Sequence, residues 1–123
     1  MTTLGVTVDD VRSFLAQLPR SYEVLVRDRV KFRVGQIVYV AFSRDETLMG
    51  FAFSREEREA LVASEPDKFV MPTGADLRFN WVIVRLGAID IAEMRELVFD
   101  AWRWVVPKKL AAAYDERFFA GEI

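Results

Sequence analysis

Apolar residues along the chain follow two different periods. Between residues 22 and 53 they alternate with polar residues, and this period of two predicts strands at residues 22–27, 29–34, 36–43 and 47–53. The interruptions are short, at Asp28, Gly35 and residues 44–46. Because parallel strands need a crossover of a dozen or more residues, these short connections predict an antiparallel meander.

Residues 80–110 predict a strand, a short turn and a long helix that packs back on the sheet. The strand residues expected to face the helix are Val82, Val84 and Leu86. The helix presents one apolar stripe of Met94, Leu97, Val98, Ala101, Trp102 and Val105. Asp90 is placed to cap this helix, with Glu93 completing a capping box, and Pro107 either ends the helix or opens another.

Further helices are predicted near both ends of the chain. Thr7 precedes a helix of about residues 8–18, Ser54 to Glu57 forms a second capping box before a short helix, and residues 108–117 have high helix propensity. Residues 69–71 and 77–79 flank a turn and either pair with each other or lead into the strand at Asn80. The pattern predicts a single α+β domain over residues 1–123, a mostly antiparallel sheet with its N- and C-terminal helices on one face.

Composition removes several classes of chemistry. The sequence has no cysteine and no histidine, which excludes thiol nucleophiles, His-containing catalytic triads, and zinc or iron–sulfur sites of the usual ligands. Its acidic pairs fall at predicted helix starts or on solvated helix faces, where carboxylates stabilise the helix dipole. We therefore expect a protein that is not an enzyme and has no metal or other cofactor. No signal peptide or membrane-length apolar run is visible, so we expect a cytoplasmic protein without a membrane partner.

Charge points to a local surface rather than to the whole protein. The chain has 17 Lys and Arg against 19 Asp and Glu, a formal net charge of -2, so contact with nucleic acid requires a basic patch. The residues Arg27, Arg29, Lys31 and Arg33 are spaced by two, and all project from one strand face if Asp28 does not break the strand. Such a row suits a phosphate track. It is also the ordinary way to solvate an exposed sheet face and to discourage edge pairing.

A second set of candidates lies on the later strand and helix. Trp81, Ile83 and Arg85 alternate with the residues predicted to face the helices, so together with Tyr39 they would form a basic and aromatic platform of the kind used by single-stranded nucleic-acid binders. Trp81 belongs to the core instead if the parity is inverted. The cations Arg103, Lys108 and Lys109 either stabilise a helix C-terminus or contact phosphate.

Glycine adds one further local signal. Gly50 lies inside a predicted strand and indicates a bulge or a close backbone contact.

Four segments of the sequence together resemble a known family. They are residues 30–40, 60–69, 80–86 and 90–109, and in this order they resemble the MmcQ/YjbR family of small bacterial proteins, whose fold is similar to that of the frataxin/CyaY domain. The resemblance implies a helix-sheet-helix domain described as DNA-binding, with strand pairs likened to a double wing. The family hairpin usually carries Gly-Lys where this chain has Gly35 and Gln36, so one expected cation is missing. A frataxin-like iron site would need more acids on the first helix than Asp9 and Asp10.

Two functions follow as hypotheses. The first is weak, salt-sensitive binding of DNA by the open sheet face, with Arg27, Arg29, Lys31, Arg33 and Arg85 on phosphates and Trp81 stacking or packing nearby. The second is a protein-interaction module that uses the same face for a homodimer or another protein partner, with Trp81, Ile83 and Tyr39 as anchors.

Overall fold

A single six-stranded sheet organises the part of the chain that the computed structural model describes, residues 3–123. The helices are α1 (Val8–Leu15), α2 (Arg58–Ser64), α3 (Ile91–Val105) and α4 (Lys108–Phe119). The strands are β1 (Ser21–Val26), β2 (Arg29–Val34), β3 (Ile37–Phe42), β4 (Leu48–Ala52), β5 (Phe69–Val70) and β6 (Trp81–Arg85). None of the helices formed by residues 3–123 combines the length and the apolarity needed to cross a membrane.

The order of strands in the sheet is β1-β2-β3-β4-β6-β5, and every neighbouring pair is antiparallel. The first four strands form the predicted meander, since their connections are too short to allow any other pairing. β6 lies beside β4, and the two-residue strand β5 pairs with its outer edge. The predicted α+β fold is confirmed.

The helices cover one face of this sheet. α3 packs across β3 and β4, and α1 packs against α3. The strand side chains beneath them are at most 1% exposed at Val40, Met49, Phe51, Val82 and Val84, and Trp102 of α3 is wholly buried above them. The Trp102 indole N–H donates to the carbonyl oxygen of Pro19 at 3.0 Å, so the largest core side chain leaves no polar atom unsatisfied.

The start of α3 is only partly as predicted. Asp90 is the N-cap, and its carboxylate accepts the backbone N–H of Glu93 at 2.7 Å. The reciprocal half of the capping box is wrong, because the Glu93 carboxylate accepts from the Lys68 ammonium at 3.0 Å instead. That ion pair ties the first turn of α3 to the segment before β5.

The buried stripe of α3 is wider than the sequence pattern indicates. Leu97 and Val105 are only partly buried, whereas Phe99, which is not on the predicted stripe, is 1% exposed. The reason is α4, which begins just after Pro107 and stacks Phe118 on Phe99 with ring centroids 4.2 Å apart. α3 is therefore buried from two sides, and Pro107 opens a second helix.

Three local predictions are corrected by the structure. β1 ends at Val26, because Arg27 and Asp28 form a two-residue turn with φ of 52° and 66°, the type I′ geometry that suits strand twist. Of the two alternatives for residues 69–71 and 77–79, pairing with each other is wrong: a 3-10 helix covers Gly74–Arg78, β5 pairs with β6, and residues 77–79 lead into β6. Ser54 does accept the backbone N–H of Glu57 at 3.3 Å, but α2 begins only at Arg58.

Candidate nucleic-acid interface

The sheet face opposite the helices, here called the open face, has an unusual charge pattern. Directly paired residues of an antiparallel sheet project from the same side, so the register of the strands identifies the members of this face. They are Tyr22, Val24, Val26, Arg29, Lys31, Arg33, Val38, Ala41, Leu48, Gly50, Ala52, Val70, Trp81, Ile83 and Arg85. Within the six strands, no acidic side chain projects from this face.

A group of five cations occupies one side of the open face. β2 contributes Arg29, Lys31 and Arg33, and the two turns at one end of the sheet contribute Arg27 and Arg44. We call these five residues the cationic cluster, and the end of the sheet with the two turns the turn end. Arg27 was expected on the strand face only if Asp28 did not break the strand, and this condition is not met, because Arg27 and Asp28 form the turn that follows β1. Arg27 nevertheless lies beside Arg29, since both line one cleft with Arg44.

The cationic cluster has no carboxylate partner. Among residues 3–123, every ion pair involves other cations. Acids do lie in the same two turns, Asp28 between Arg27 and Arg29, and Asp45 and Glu46 after Arg44, but in the described part of the chain none of them forms an ion pair with the cluster. Asp45, which lines the cleft with the cations, is occupied within its own turn. Its carboxylate accepts the hydroxyls of Ser43 and Thr47 at 2.7 and 2.8 Å and the backbone N–H of Thr47 at 3.1 Å. These hydrogen bonds lower the pKa of Asp45.

Arg85 lies on the open face, as predicted, but apart from the cationic cluster. It pairs with Leu48 across β4 and donates to the carbonyl oxygen of Pro66 at 3.1 Å. Three strand spacings separate β6 from β2, so the backbones of Arg85 and Arg29 lie about 14 Å apart. Arg85 can therefore contact a long ligand that crosses the face.

The second predicted group of cations is not part of this surface. Arg103 forms a two-point ion pair with Asp115 of α4, in which Nε lies 2.6 Å from Oδ1 and a terminal N–H donates to Oδ2 at 3.0 Å. Lys108 and Lys109 begin α4 instead of ending a helix, so the expectation that they stabilise a helix C-terminus is wrong. At this end the helix dipole opposes them. None of the three lines the depressions of the open face.

Trp81 lies on the open face, and its indole covers Gly50. A Cβ atom built on Gly50 would lie 2.4 Å from the indole Nε1 and 2.7 Å from Cε2 and Cζ2. A side chain fits there only if the indole moves, so the close-contact explanation for Gly50 holds and the bulge explanation does not. The absent side chain leaves the indole lying directly on the backbone of β4.

Tyr39 is the clear error in the predicted platform. The pairing of β2 with β3 shifts between Phe32 and Arg33, which pair with Val40 and Val38 and leave Tyr39 as an extra residue between them. This bulge turns Tyr39 to the covered face, where it is 0% exposed and hydrogen-bonded to the Ser21 hydroxyl. Burial raises the pKa of Tyr39 to about 12. A strict period of two cannot reveal an inserted residue.

A groove of about 590 Å³ crosses the open face. Small residues of β3 and β4 lie at its centre, Trp81 and Ile83 on one side, and Arg29 and Lys31 on the other. Its complete lining is Arg29, Lys31, Ile37, Val38, Ala41, Phe42, Ser43, Leu48, Ala52, Asp76, Phe79, Asn80, Trp81, Ile83, Trp104 and Val105. The cleft at the turn end shares four of these residues, Arg29, Lys31, Ser43 and Leu48, so the cationic and aromatic parts are continuous.

A buried arginine holds the segment that forms one wall of the groove. Arg58 is 5% exposed and donates to the carbonyl oxygens of Leu77, Phe79 and Trp81 at 2.6, 2.8 and 3.1 Å. Sequence reasoning missed this role, because Arg58 follows Arg-Glu-Glu in a run typical of solvent-facing helices. The contact spans about twenty residues of sequence, and no local pattern signals it.

Arg44 was also missed, although a signal for it exists. In a four-strand meander the first and third turns lie at the same end of the sheet. The turn at residues 44–46 therefore had to lie beside the turn at residues 27–28, as it does. By its period alone, the segment that contains Arg44 indicates only a break between two strands.

Comparison with known proteins gives a family-level match and a fold-level match. The model of a family described as YjbR matches residues 16–104, a range that contains the cationic cluster and Trp81 but neither Lys108 nor Lys109. The crystal structure of the Deinococcus radiodurans protein DR2400, a DUF419 domain, superposes with a TM-score of 0.73 at 25% identity, over 98% of this chain and 92% of that one. No curated protein shows significant similarity to the chain.

Proposed function

The chain belongs to the YjbR family, and from the charge on its open face we propose that it binds DNA, without a catalytic step, through the cationic cluster. One observation carries the proposal: in the part of the chain that the structure describes, five cations without carboxylate partners border a sheet face whose strands contribute no acid. Unpaired guanidinium and ammonium groups can donate hydrogen bonds to the oxygens of phosphate groups.

The arrangement of the cluster supports an extended anionic ligand. Arg29, Lys31 and Arg33 follow one another along β2 with about 6.6 Å between successive Cα atoms, twice the rise of a strand. Arg27 and Arg44 extend this row beyond the turn end. The long side chains can follow a phosphate backbone that runs along the strand. Since the whole chain has a net charge of -2, the attraction is local, and we expect weak binding.

Salt dependence tests the mechanism. If four cations neutralise four phosphates of a duplex, log affinity should fall against log salt with a slope of about -3.6, roughly a hundredfold loss between 50 and 200 mM salt. Fluorescence anisotropy of labelled oligonucleotides at several salt concentrations measures this slope. No binding even at 50 mM salt, or binding that salt does not weaken, contradicts the proposal.

Two matched double variants locate the site. Arg29→Glu with Lys31→Glu should abolish binding at 200 mM salt, whereas Lys108→Glu with Lys109→Glu should leave it nearly unchanged. Both pairs change the net charge equally, so a general charge effect would weaken binding in both variants alike. The second pair also places acids at the start of α4, where they favour the helix dipole, so this control should remain folded. Equal losses in the two variants would remove the cationic cluster from the proposal.

Self-association through the open face is a second candidate. It is favoured by exposed apolar side chains near the Trp81 end of the groove: Ile37 is 54% exposed, Leu77 43%, Phe79 58% and Trp104 48%. Tyr39, an anchor in the original hypothesis, cannot contribute because it is buried. Sedimentation of the same protein without DNA separates the two functions, because a monomer that binds oligonucleotide supports only the first.

A further inference from the structure

We infer that the groove of the open face binds an unpaired nucleobase, so that the protein prefers single-stranded to double-stranded nucleic acid. The inference rests on the proposed function, because phosphates held by the cationic cluster would bring the strand to the groove. The occupant is identified by two adjoining chemistries, cations on one side of the groove and aromatic rings on the other.

The pairing of four strands shows how the groove is formed. Lys31 pairs with Ala41, Ala41 with Gly50, and Gly50 with Ile83, so these four residues make one row across the open face. The two middle members have almost no side chain. The Trp81 indole covers Gly50, so the depression lies over Ala41, between the Lys31 side chain on one side and the indole with Ile83 on the other. Two strand spacings, about 10 Å, separate the backbones of Lys31 and Gly50.

The aromatic side of the groove is exposed to solvent. Trp81 is only partly buried although its indole lies against Gly50, and Phe79 and Trp104 border the same groove at 58% and 48% exposure. Grouped exposed aromatics commonly mark a binding site. Bases of single strands stack on such side chains irrespective of sequence.

The wall of the groove is held in place before any ligand binds. The Arg58 guanidinium donates hydrogen bonds to the carbonyl oxygens of Phe79 and Trp81, which lie on either side of Asn80. Arg55 donates its side chain to the carbonyl oxygen of Arg78 at 2.9 Å, and its backbone N–H donates to Asn80 Oδ1 at 3.1 Å. A wall ordered in this way costs little further entropy on binding. The groove volume of about 590 Å³ also lies within the range of about 300–1,000 Å³ typical of ligand sites.

A duplex would use the same surface less well. Its bases are already stacked and paired, and one must be turned out of the helix before it can enter a pocket. A single strand presents its bases without that cost, while its phosphates still reach Arg29 and Lys31. The groove therefore adds affinity for a single strand and none for an intact duplex.

Three labelled probes of equal length test the inference by fluorescence anisotropy. They are a single strand, its duplex, and an abasic strand that has the same sugar-phosphate backbone without bases. We expect the single strand to bind about 5- to 150-fold more tightly than the abasic strand, the range for stacking of one base on an aromatic side chain. Equal affinity for these two probes overturns the inference, because it shows that only phosphates are read.

Variants of Trp81 assign the effect to the groove. Trp81→Ala should lose about fivefold or more in affinity for the single strand and nothing for the abasic strand, while Trp81→Phe should retain most of the difference. If Trp81→Ala does not fold, the comparison of probes on the unaltered protein still decides. If the protein binds all probes alike and Arg29→Glu with Lys31→Glu abolishes this binding, the proposed function holds and this inference is wrong. A protein that binds no probe loses both.

Discussion

Large aromatic residues lie on both sides of the sheet, but they differ in exposure and in hydrogen bonding. On the covered side, Tyr39 of β3 and Trp102 of the overlying helix α3 are 0% exposed, and each has its polar atom hydrogen-bonded, to Ser21 and to Pro19. On the open face, Trp81 lies partly exposed on the backbone of Gly50, beside cations that have no carboxylate partner. The first arrangement is complete within the molecule, whereas the second leaves rings and charges available to a ligand.

The comparison shows that residue type alone does not separate core from binding surface. Buried polar groups must be satisfied inside the protein, so a covered aromatic is recognised by its partners. On the open face, the cations of the cluster have no carboxylate partner among residues 3–123. Water solvates their exposed N–H groups, while Arg33 Nε is buried without a hydrogen-bond partner. A cation without a carboxylate partner costs little free energy only where water can solvate it. A phosphate group can replace that water. Three changes, from the largest expected effect to the smallest, test how far the two faces differ.

Two tryptophans on the same helix test how much burial against the covered face contributes to the free energy of unfolding. Trp102→Ala should lower the free energy of unfolding by about 3–5 kcal/mol, because it leaves a cavity and an unsatisfied carbonyl at Pro19. Trp104→Ala, two residues along α3 and 48% exposed, should cost less than about 1 kcal/mol. Urea unfolding of both variants measures the difference. Similar costs would show that the helix face is wrongly assigned.

Much of the fold was predictable because burial repeats with the period of the backbone. The parity of Val82 and Val84 against Trp81 and Ile83 holds through β6, which pairs regularly and carries no bulge. Asp90 caps the start of α3, and Pro107 follows its end and opens α4. Both effects come from chemistry local to the residue. In each case the determining interactions lie within a few residues of sequence.

The candidate site was less predictable, because its determinants are distant in sequence. The bulge that buries Tyr39 depends on pairing between β2 and β3. Whether a cation is free depends on acids elsewhere: Arg103 is paired because α4 folds back and brings Asp115 to it. Arg58 holds carbonyls about twenty residues away. The alternation in the sequence predicts which cations can share a face of the sheet. It does not predict which of those cations lack a carboxylate partner.

Tyr39 allows the face assignment to be tested by pH. Its pKa is raised to about 12 by burial, while an unfolded tyrosine titrates near 10. Well below pH 10 the phenol is protonated in both states, so its titration does not change stability. Between pH 10 and 12 only the unfolded chain releases the proton, so stability should fall as pH rises, by on the order of 2 kcal/mol.

The control for this titration is Tyr39→Phe. Lysines also titrate at alkaline pH, so the informative quantity is the difference in unfolding free energy between the two proteins across that range. The variant should lose the hydrogen bond to Ser21 but show a flatter alkaline decline. The ultraviolet absorbance of tyrosinate should also lack its latest-titrating component. Identical declines in the two proteins would place Tyr39 in contact with water, on the open face after all.

Gly50 gives the smallest effect and the one most specific to the open face. Gly50→Ala would place a methyl group 2.4 Å from the Trp81 Nε1, so the indole must move. Because Trp81 is partly exposed and can shift outward, the cost should lie near the lower limit for overpacking, about 1 kcal/mol. Gly87→Ala is the matched control, since a Cβ there meets nothing within 4 Å; it should leave stability unchanged or slightly raised. If the groove binds a base, Gly50→Ala should also weaken single-stranded but not abasic probes, whereas Gly87→Ala should affect neither. Unchanged binding in Gly50→Ala would mean that the position of the indole does not matter to the ligand, and the open face would then act through its cations alone.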